Sequence, residues 1–298
     1  MCTKWVGFVK NYGTYDNNTL KKLQKVELDM LKDINKVCEK YKIKYFATDG
    51  TGLGAIRHKG FIPWDDDIDL RFIEEDAYKF VECMEKEMSD KYYFIDENTY
   101  DNYPLTIIKM CKKNTKFVGW DTADLGIEPG IFIDIFPMVY VSDDEKERTK
   151  KLTKSWYLYK LGILASIKDP ILSFSGIKEK IILLGCHIIH YVLKLFHITS
   201  KKLYKKARNI SIVDGKTNTV ASLNTTQKLT SVYNLDDIFP VKKVPFEDTY
   251  IYMPKNYDKL LRQMFGDYMQ LPPEEKRHNH CPKILVFDIE KEKKGVSK

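Results

Sequence analysis

The chain has 298 residues, 43% hydrophobic and 31% charged, a composition that supports a sizeable core and excludes a disordered or fibrous chain. Its formal charge of +7 favours anionic partners such as nucleotides, anionic glycan intermediates or a lipid headgroup surface. No zinc-finger, RNA-recognition or helix-turn-helix signature accompanies that charge, so nucleic acid is not an expected partner. Cys2, Cys38, Cys83, Cys111, Cys186 and Cys281 are scattered with no C-x-x-C pair. Neither a disulfide framework nor a zinc site is therefore expected, and a reducing, cytoplasmic setting is. Residues 1–17 lack the apolar core and cleavage site of a signal peptide.

Residues 18–41 predict an amphipathic helix. Leu20, Leu23, Leu31, Ile34 and Cys38 fall near one face, Met30 and Tyr41 flank them, and Lys and Glu lie opposite. Asn17 or Asn18 is the expected cap. Residues 41–48 read as a short strand, Asp49-Gly50-Thr51-Gly52 as a turn, and residues 53–58 as a short helix. A strand, a glycine turn and a helix N-terminus aim backbone N–H groups at an anion. Arg57 and His58 add side-chain donors for phosphate. The spacing is neither G-x-G-x-x-G nor a Walker loop.

Asp65, Asp66, Asp67 and Asp69 follow within five positions. Carboxylates this dense repel one another and lose solvation if buried, and a cation is the usual reason to keep them. The alternation Asp67, Ile68, Asp69, Leu70 predicts a strand with both aspartates on one face and Asp65 on the same parity. Such an all-oxygen set suits Mg²⁺ or Mn²⁺. A solvated turn at Asp65-Asp66 is the plainer alternative. A calcium loop of the EF-hand type is not matched, because Ile68 and Asp69 break its pattern.

Residues 74–89 read as a second helix, and residues 91–95 and 105–111 as strands. Lys109 is expected either to face solvent or to contact phosphate near the metal. Residues 119–130 carry loop chemistry. Residues 131–138 form a buried strand with Asp134 alone among apolar neighbours, a pattern that by itself reads as a hydrogen-bonded core aspartate. Residues 141–154 read as a charged, solvated helix, and residues 155–211 as mostly helical. The run 181–196, IILLGCHIIHYVLKLF, is the most apolar in the chain. It falls short of the ~20 residues a spanning helix needs, and Lys194 interrupts it. A buried core helix is the expectation, with His187 and His190 as surface or core residues rather than ligands. A helix lying in a membrane surface is the alternative, given Lys178, Lys180, Lys201 and Lys202. Residues 231–254 read as short strands and turns, and residues 258–270 as a helix. Arg277, His278 and His280 follow a Pro-Pro turn. No internal repeat is evident.

Residues 50–70, GTGLGAIRHKGFIPWDDDIDL, closely resemble the signature of the LicD family. Its members are phosphocholine transferases of bacterial surface glycans, and fukutin-type sugar-phosphate transferases are wider relatives. GIFIDIFPM (130–138), VPFEDTYIYMPKNY (244–257) and YDKLLRQMFGDYMQLPPEEKRHNH (257–280) look like the same family. The chain departs from the usual motif at Gly52, where leucine is common, and at Asp49, where a small residue is.

The resemblance implies an α/β (α+β) fold, a nucleotidyltransferase-like mixed sheet flanked by helices. It would comprise a catalytic core at 1–140, a helical insertion at 141–212 and a C-terminal segment at 213–298 completing the active site. It implies Asp65, Asp67, Asp69 and Asp134 as catalytic residues, with Asp67, Asp69 and Asp134 holding Mg²⁺ or Mn²⁺. Gly50, Thr51, Arg57, His58, Lys109, Arg277 and His280 become the expected substrate contacts, Arg277 and His280 on the resemblance alone.

The implied reaction is transfer of phosphocholine from CDP-choline to a hydroxyl of a glycan or lipid-linked glycan precursor of lipopolysaccharide, teichoic acid or capsule. Ribitol- or glycerol-phosphate transfer from the matching CDP-alcohol is the alternative. An inactive nucleotide-binding relative is the competing class, and the retained carboxylates argue against it. Peripheral contact with the inner face of the membrane fits the same picture.

Overall fold

The computed structural model describes residues 14–120, 123–170, 172, 176–223, 229, 231–277 and 279–295. His278 and the segment read for a signal peptide up to residue 13 lie outside them. Helix α1 (Asn17–Tyr41) starts one residue earlier than the pattern predicts. Its cap is Asp16, whose carboxylate accepts from the N–H groups of Asn18 and Thr19, because a side chain ahead of the first turn reaches those orphan donors. Lys42 closes the helix in the left-handed conformation, φ 54°.

There follow β1 (Tyr45–Ala47), α2 (Asp49–Arg57), β2 (Asp69–Ile73), α3 (Glu74–Met88), β3 (Tyr92–Ile95), β4 (Ile108–Lys112), β5 (Lys116–Val118) and β6 (Phe132–Val141). Next come α4 (Glu145–Ser166), α5 (Ile177–Leu195), α6 (Ser200–Ser211), β7 (Thr219–Ser222), β8 (Val232–Asn234) and the single turn α7 (Leu235–Ile238). The chain ends with β9 (Lys242–Phe246), β10 (Thr249–Met253), α8 (Tyr257–Phe265), β11 (Ile284–Val286) and α9 (Ile289–Gly295).

A mixed seven-stranded sheet runs β1-β2-β6-β4-β3, and β7 and β8 continue from the second half of β6. Among the described residues only β2 and β6 pair in parallel, with Asp69 opposite Asp134. On one face Leu70, Phe72, Ile133 and Ile135 bury against Leu31 and Ile34 of α1 and Phe80 and Met84 of α3. On the other face Ile73 and Met138 pack with Tyr233, Ile238 and Leu260. Two small antiparallel pairs, β9–β10 and β5–β11, bring residues 242–286 back onto the core. β7 and β8 therefore extend the main sheet from beyond the helical segment.

Three expectations change. The glycine turn is not a separate turn: Gly52 N–H already bonds Thr48 O at 2.8 Å, so Asp49-Gly50-Thr51 are the first helical residues of α2. Gly52 is buried inside it, and a Cβ there would lie 3.2 Å from Ala47 O and from Met253 Cε, so a leucine would have to displace these neighbours; the glycine fits close packing rather than a loose turn. The third change is the helix α5. It is not a core helix, since Leu193 is its one buried residue. His187 Nε2 meets Asp169 Oδ1 at 2.5 Å and His190 Nδ1 meets Leu164 O at 2.8 Å, so both histidines pin the back of α5 to α4 and the following loop. Cys38 is buried, and Cys83 and Cys186 only partly so.

Candidate active site

The parallel register of β2 and β6 sets Asp69 beside Asp134 at the same end of the sheet. Asp67 stands just ahead of β2 rather than within it. The bond from Asp134 N–H to Ile68 O, 3.0 Å, continues the ladder one step and holds this approach extended. Asp65 and Asp67 lie within hydrogen-bonding reach of each other. Thr51 of α2 is buried, and its hydroxyl accepts from Asp69 N–H at 2.8 Å. It therefore positions the acidic strand. Gly50, next to it, is required by proximity: a Cβ would sit 2.8 Å from Asp65 Oδ2. The Asp65 carboxylate thus faces the opening turn of α2, where a negative group is favoured.

The plainer alternative of a solvated turn at Asp65-Asp66 does not hold for Asp66, which is buried. Its oxygens accept from Tyr15 Oη at 2.8 Å and from the backbone N–H of His280 at 2.8 and 3.0 Å. Asp66 thereby fastens the C-terminal segment across the acidic loop. His280 Nδ1 lies 3.4 Å from Asp66 Oδ1 and 3.5 Å from Asp67 Oδ2. The hydrogen bond to Asp66 and the carboxylates of Asp67 and Asp65 raise its pKa to about 10. The ring is 74% exposed, so solvent screens that pull and the direction carries the argument.

Burial and mutual repulsion push the acidic groups the opposite way from a salt-bridged carboxylate. Asp67 rises from 3.8 to about 6, through burial first, with His280 opposing it and Asp66 and Asp134 adding to it. Asp65 and Asp69 are raised well above the usual range by burial and by Asp67. Asp134 is raised by burial, against the pull of Lys109. Lys109 is not a solvent-face residue: its Nζ lies 2.7 Å from Asp134 Oδ1 and 3.3 Å from the Phe132 ring centroid.

Glu27, assigned to the solvent face of α1, is 1% exposed, and its Oε2 has no hydrogen-bond partner. Burial first, then the charges of Asp67, Asp66, Asp65 and Asp134, raise its pKa well above the normal carboxylate range, a direction that favours the protonated acid. Its position repeats the spacing of Leu20, Leu23, Met30 and Ile34, which is the signal that identifies it. One turn earlier, Gln24 Nε2 donates to Asp65 O at 2.9 Å.

Arg71 is the second residue the pattern missed. It shares parity with Asp69, is buried, and pairs with Asp49 at 2.6 Å. Its Nε donates to Thr48 Oγ1, and its guanidinium lies over Phe136 and Tyr233. Asp49, with φ 54°, is therefore neutralised within the fold and does not meet an incoming phosphate as a bare charge.

The remaining expected contacts form a basic corner beside the acidic loop. Arg57 Nη1 donates to the carbonyls of Tyr268 and Gln270, and its Nε to His58 Nε2. Arg277 lies 4.8 Å over the Trp64 ring, and His58 meets the edge of the same ring. Burial and the nearby Arg277 charge lower the pKa of Arg57, and burial and Arg57 lower that of His58. Positive groups crowded in this way are relieved by an anion.

Among the described residues, no three acidic, histidine or cysteine side chains converge as a preformed metal cage. The expected triad is thus not assembled: Lys109 holds Asp134 in an ion pair. Mg²⁺ does not need a three-carboxylate cage, since one or two carboxylates with waters and substrate phosphates usually suffice. Asp67 and Asp69 fit that role. They are oxygen donors, raised in pKa by burial first and by carboxylate repulsion that a cation would cancel, and Asp67 remains 27% exposed.

An unrelated cavity of about 550 Å³, its open mouth included, is lined by Tyr78, Glu97, Tyr159, Tyr204, Pro137 and Val139. Pro137 and Val139 alternate with Asp134 along β6, so this cavity is on the reverse side of the sheet from the carboxylates.

Comparison with known proteins places this geometry. Residues 42–163 match the family model described as LicD/FKTN/FKRP, nucleotidyltransferase domain. That stretch carries the acidic loop, β2, Lys109 and Asp134. The chain is 30% identical over 269 residues to the lipopolysaccharide cholinephosphotransferase LicD of Haemophilus influenzae, covering 88% of this chain and 96% of that one. Shorter similarities reach uncharacterized proteins of Rickettsia typhi, 37% over 76 residues, 26% of this chain and 23% of that one, and of Rickettsia prowazekii, 33% over 92 residues, 30% and 35%. A mixed sheet carrying Asp69 beside Asp134, and a match that runs nearly the full length of a named relative, make this chain a member of the LicD family of nucleotidyltransferase-fold phosphotransferases.

Proposed function

We propose that the protein transfers phosphocholine from CDP-choline to a hydroxyl of a cell-surface glycan precursor, with Mg²⁺ or Mn²⁺ held by Asp67 and Asp69. The observation that carries this reading is the carboxylate cluster itself. Its acidic groups are raised in pKa, partly open to solvent, and flanked by the basic corner of Arg57, His58 and Arg277. The name of the Haemophilus influenzae relative, a lipopolysaccharide cholinephosphotransferase, supports phosphocholine as the transferred group and a surface glycan as the acceptor.

In the transfer, the acceptor oxygen bonds to the phosphorus that bears choline. The bond from that phosphorus to the oxygen shared with CMP breaks, and CMP leaves with the electron pair. The hydroxyl proton passes to a carboxylate, for which Asp65 and Asp134 are the candidates. A bound divalent ion supplies charge neutralisation on the pyrophosphate. Arg57 and Arg277 hold donor phosphate oxygens, and His280, protonated by its neighbours, offers a further cation at the mouth of the cluster. Lys109 orients Asp134 through its ion pair and opposes the burial that raises the carboxyl's pKa.

The test is a donor panel. Purified protein with Mg²⁺ and a glycan acceptor is given CDP-choline, CDP-ribitol or CDP-glycerol, and CMP release is followed. Release from CDP-choline alone supports the proposal. Release from another CDP-alcohol alone replaces the donor but keeps the site. Tight nucleotide binding with no release from any donor refutes the enzymatic reading.

A further inference from the structure

The apolar stripe of α5 faces outward. Ile177, Ile181, Leu184, Ile188, Tyr191 and Leu195 recur at steps of four and three residues, so they form one continuous line along the helix. All six are 53–79% exposed. The opposite side of the helix is the one that docks, through Leu193, His187 and His190. A Cβ added at Gly185 would meet nothing within 4 Å, in keeping with an open flank. A soluble protein rarely leaves so long an apolar line uncovered without a partner for it.

The charges around the stripe identify the partner. Between Gly176 and Lys206 there are seven lysines, Lys178, Lys180, Lys194, Lys201, Lys202, Lys205 and Lys206, against one acidic residue, Glu179. All seven are exposed. Four of them stand on α6, on the side away from its buried Leu203, Tyr204 and Ala207, and α6 turns from α5 by 95°. A second copy of the chain, related by a two-fold axis, would set seven lysines against seven. A surface of phosphate headgroups meets both features at once: lipid tails take the stripe, and anionic headgroups take the lysines. No single helix among the described residues is long and apolar enough to cross a membrane; α5 and α6 reach that length and apolarity only together, as a pair bent by 95°. His187, His190 and Leu193 tie the second half of α5 to the protein, and a helix held on one side with its apolar line on the other fits an interfacial helix better than a span.

We infer that α5, flanked by the lysines of α6, is a membrane-docking helix that inserts its Ile177–Leu195 stripe into an anionic phospholipid surface. The inference is independent of the transfer reaction. Where that reaction holds, docking confines the enzyme to the surface that carries lipid-linked acceptors.

The experiment is co-sedimentation of the full chain with vesicles of phosphatidylcholine alone or mixed with phosphatidylglycerol. The expected result is binding to the mixed vesicles and little to the neutral ones. Lys201→Gln with Lys205→Gln should weaken it about fivefold per charge, from roughly 1 kcal/mol for each lysine near an anionic surface. Ile181→Asn with Leu184→Asn and Ile188→Asn should reduce it more than tenfold while the melting temperature stays unchanged, since these side chains are exposed. Leu184→Trp gives a second readout that no folding loss can mimic: its emission, measured above that of the native tryptophans, should be quenched by brominated lipid. Equal binding to neutral and anionic vesicles, or no quenching at position 184, overturns the inference. So does a stable dimer that the stripe variant dissociates in the absence of vesicle binding.

Discussion

Replacing Asp67 with asparagine should stabilise the metal-free protein. Asp67 is raised from 3.8 to about 6 by burial and by its carboxylate neighbours. At pH 7.5 the folded state must therefore keep it charged against roughly two pK units of penalty, each worth about 1.4 kcal/mol, an upper bound near ~3 kcal/mol. The 27% of the side chain open to water and the lost contact with His280 reduce this to a net gain of about 1–2 kcal/mol. Thermal unfolding in chelator should then shift upward by about 2–4 °C per kcal/mol in a chain of this size class.

The sign fixes a pH dependence as well. A carboxylate with a raised folded pKa binds more protons folded than unfolded between about 3.8 and 6, so metal-free wild type gains stability as pH falls through 6 towards 4. The asparagine variant lacks that gain from position 67. Mg²⁺ should stabilise wild type more at pH 7.5 than at pH 5.5, and the variant little at either. A variant that melts below wild type in chelator at pH 7.5 would show that Asp67 is already satisfied by protein groups, and the cation argument would fail.

Four further outcomes follow from the contacts. Asp49→Ala leaves the buried Arg71 cation unpaired and should cost about 3 kcal/mol in urea unfolding, whereas Asp49→Ala with Arg71→Met should recover most of it; additive losses would deny the coupling. Thr51→Val removes the acceptor for Asp69 N–H and should cost about 1–2 kcal/mol and lower CMP release; unchanged turnover would deny that Thr51 positions Asp69. Glu27→Gln mimics the neutral acid and should leave stability at pH 7.5 within about 0.5 kcal/mol, while a large loss would mean that Glu27 is ionised. His280 gains carboxylate partners on folding, so its contribution is fully present below its ordinary pKa near 6.5 and is lost as pH rises towards 10. His280→Ala should flatten the melting temperature between pH 7 and pH 10, and an unaltered slope would refute the link.

The acidic loop was legible because charge of that density has few uses, and α1 because five apolar residues share one face. Asp134 was legible only through family likeness, since one aspartate on an apolar strand looks like any satisfied core group. Glu27 and Arg71 were missed for a different reason: both obey the periodicity of their elements, but charged residues are read as facing water by default. What surrounds them, the aspartate charges around Glu27 and the Asp49 carboxylate at the start of α2 beside Arg71, is invisible in local pattern. Asp49-Gly50-Thr51 read as a turn because glycine disfavours helix, yet tight packing against Asp65 and Ala47 outweighs that propensity. In α5 the sequence is apolar on nearly every side, so periodicity does not say which side is covered. Only the packing against α4 decides it.

Electron paramagnetic resonance of Mn²⁺ titrated into the protein tests the metal site most directly, with and without CDP-choline. The account predicts one ion per chain, held more tightly with the donor present, and no such ion in the Asp67→Asn, Asp69→Asn variant at unchanged fold. Equal Mn²⁺ binding in that variant, or none in wild type with donor present, would contradict it.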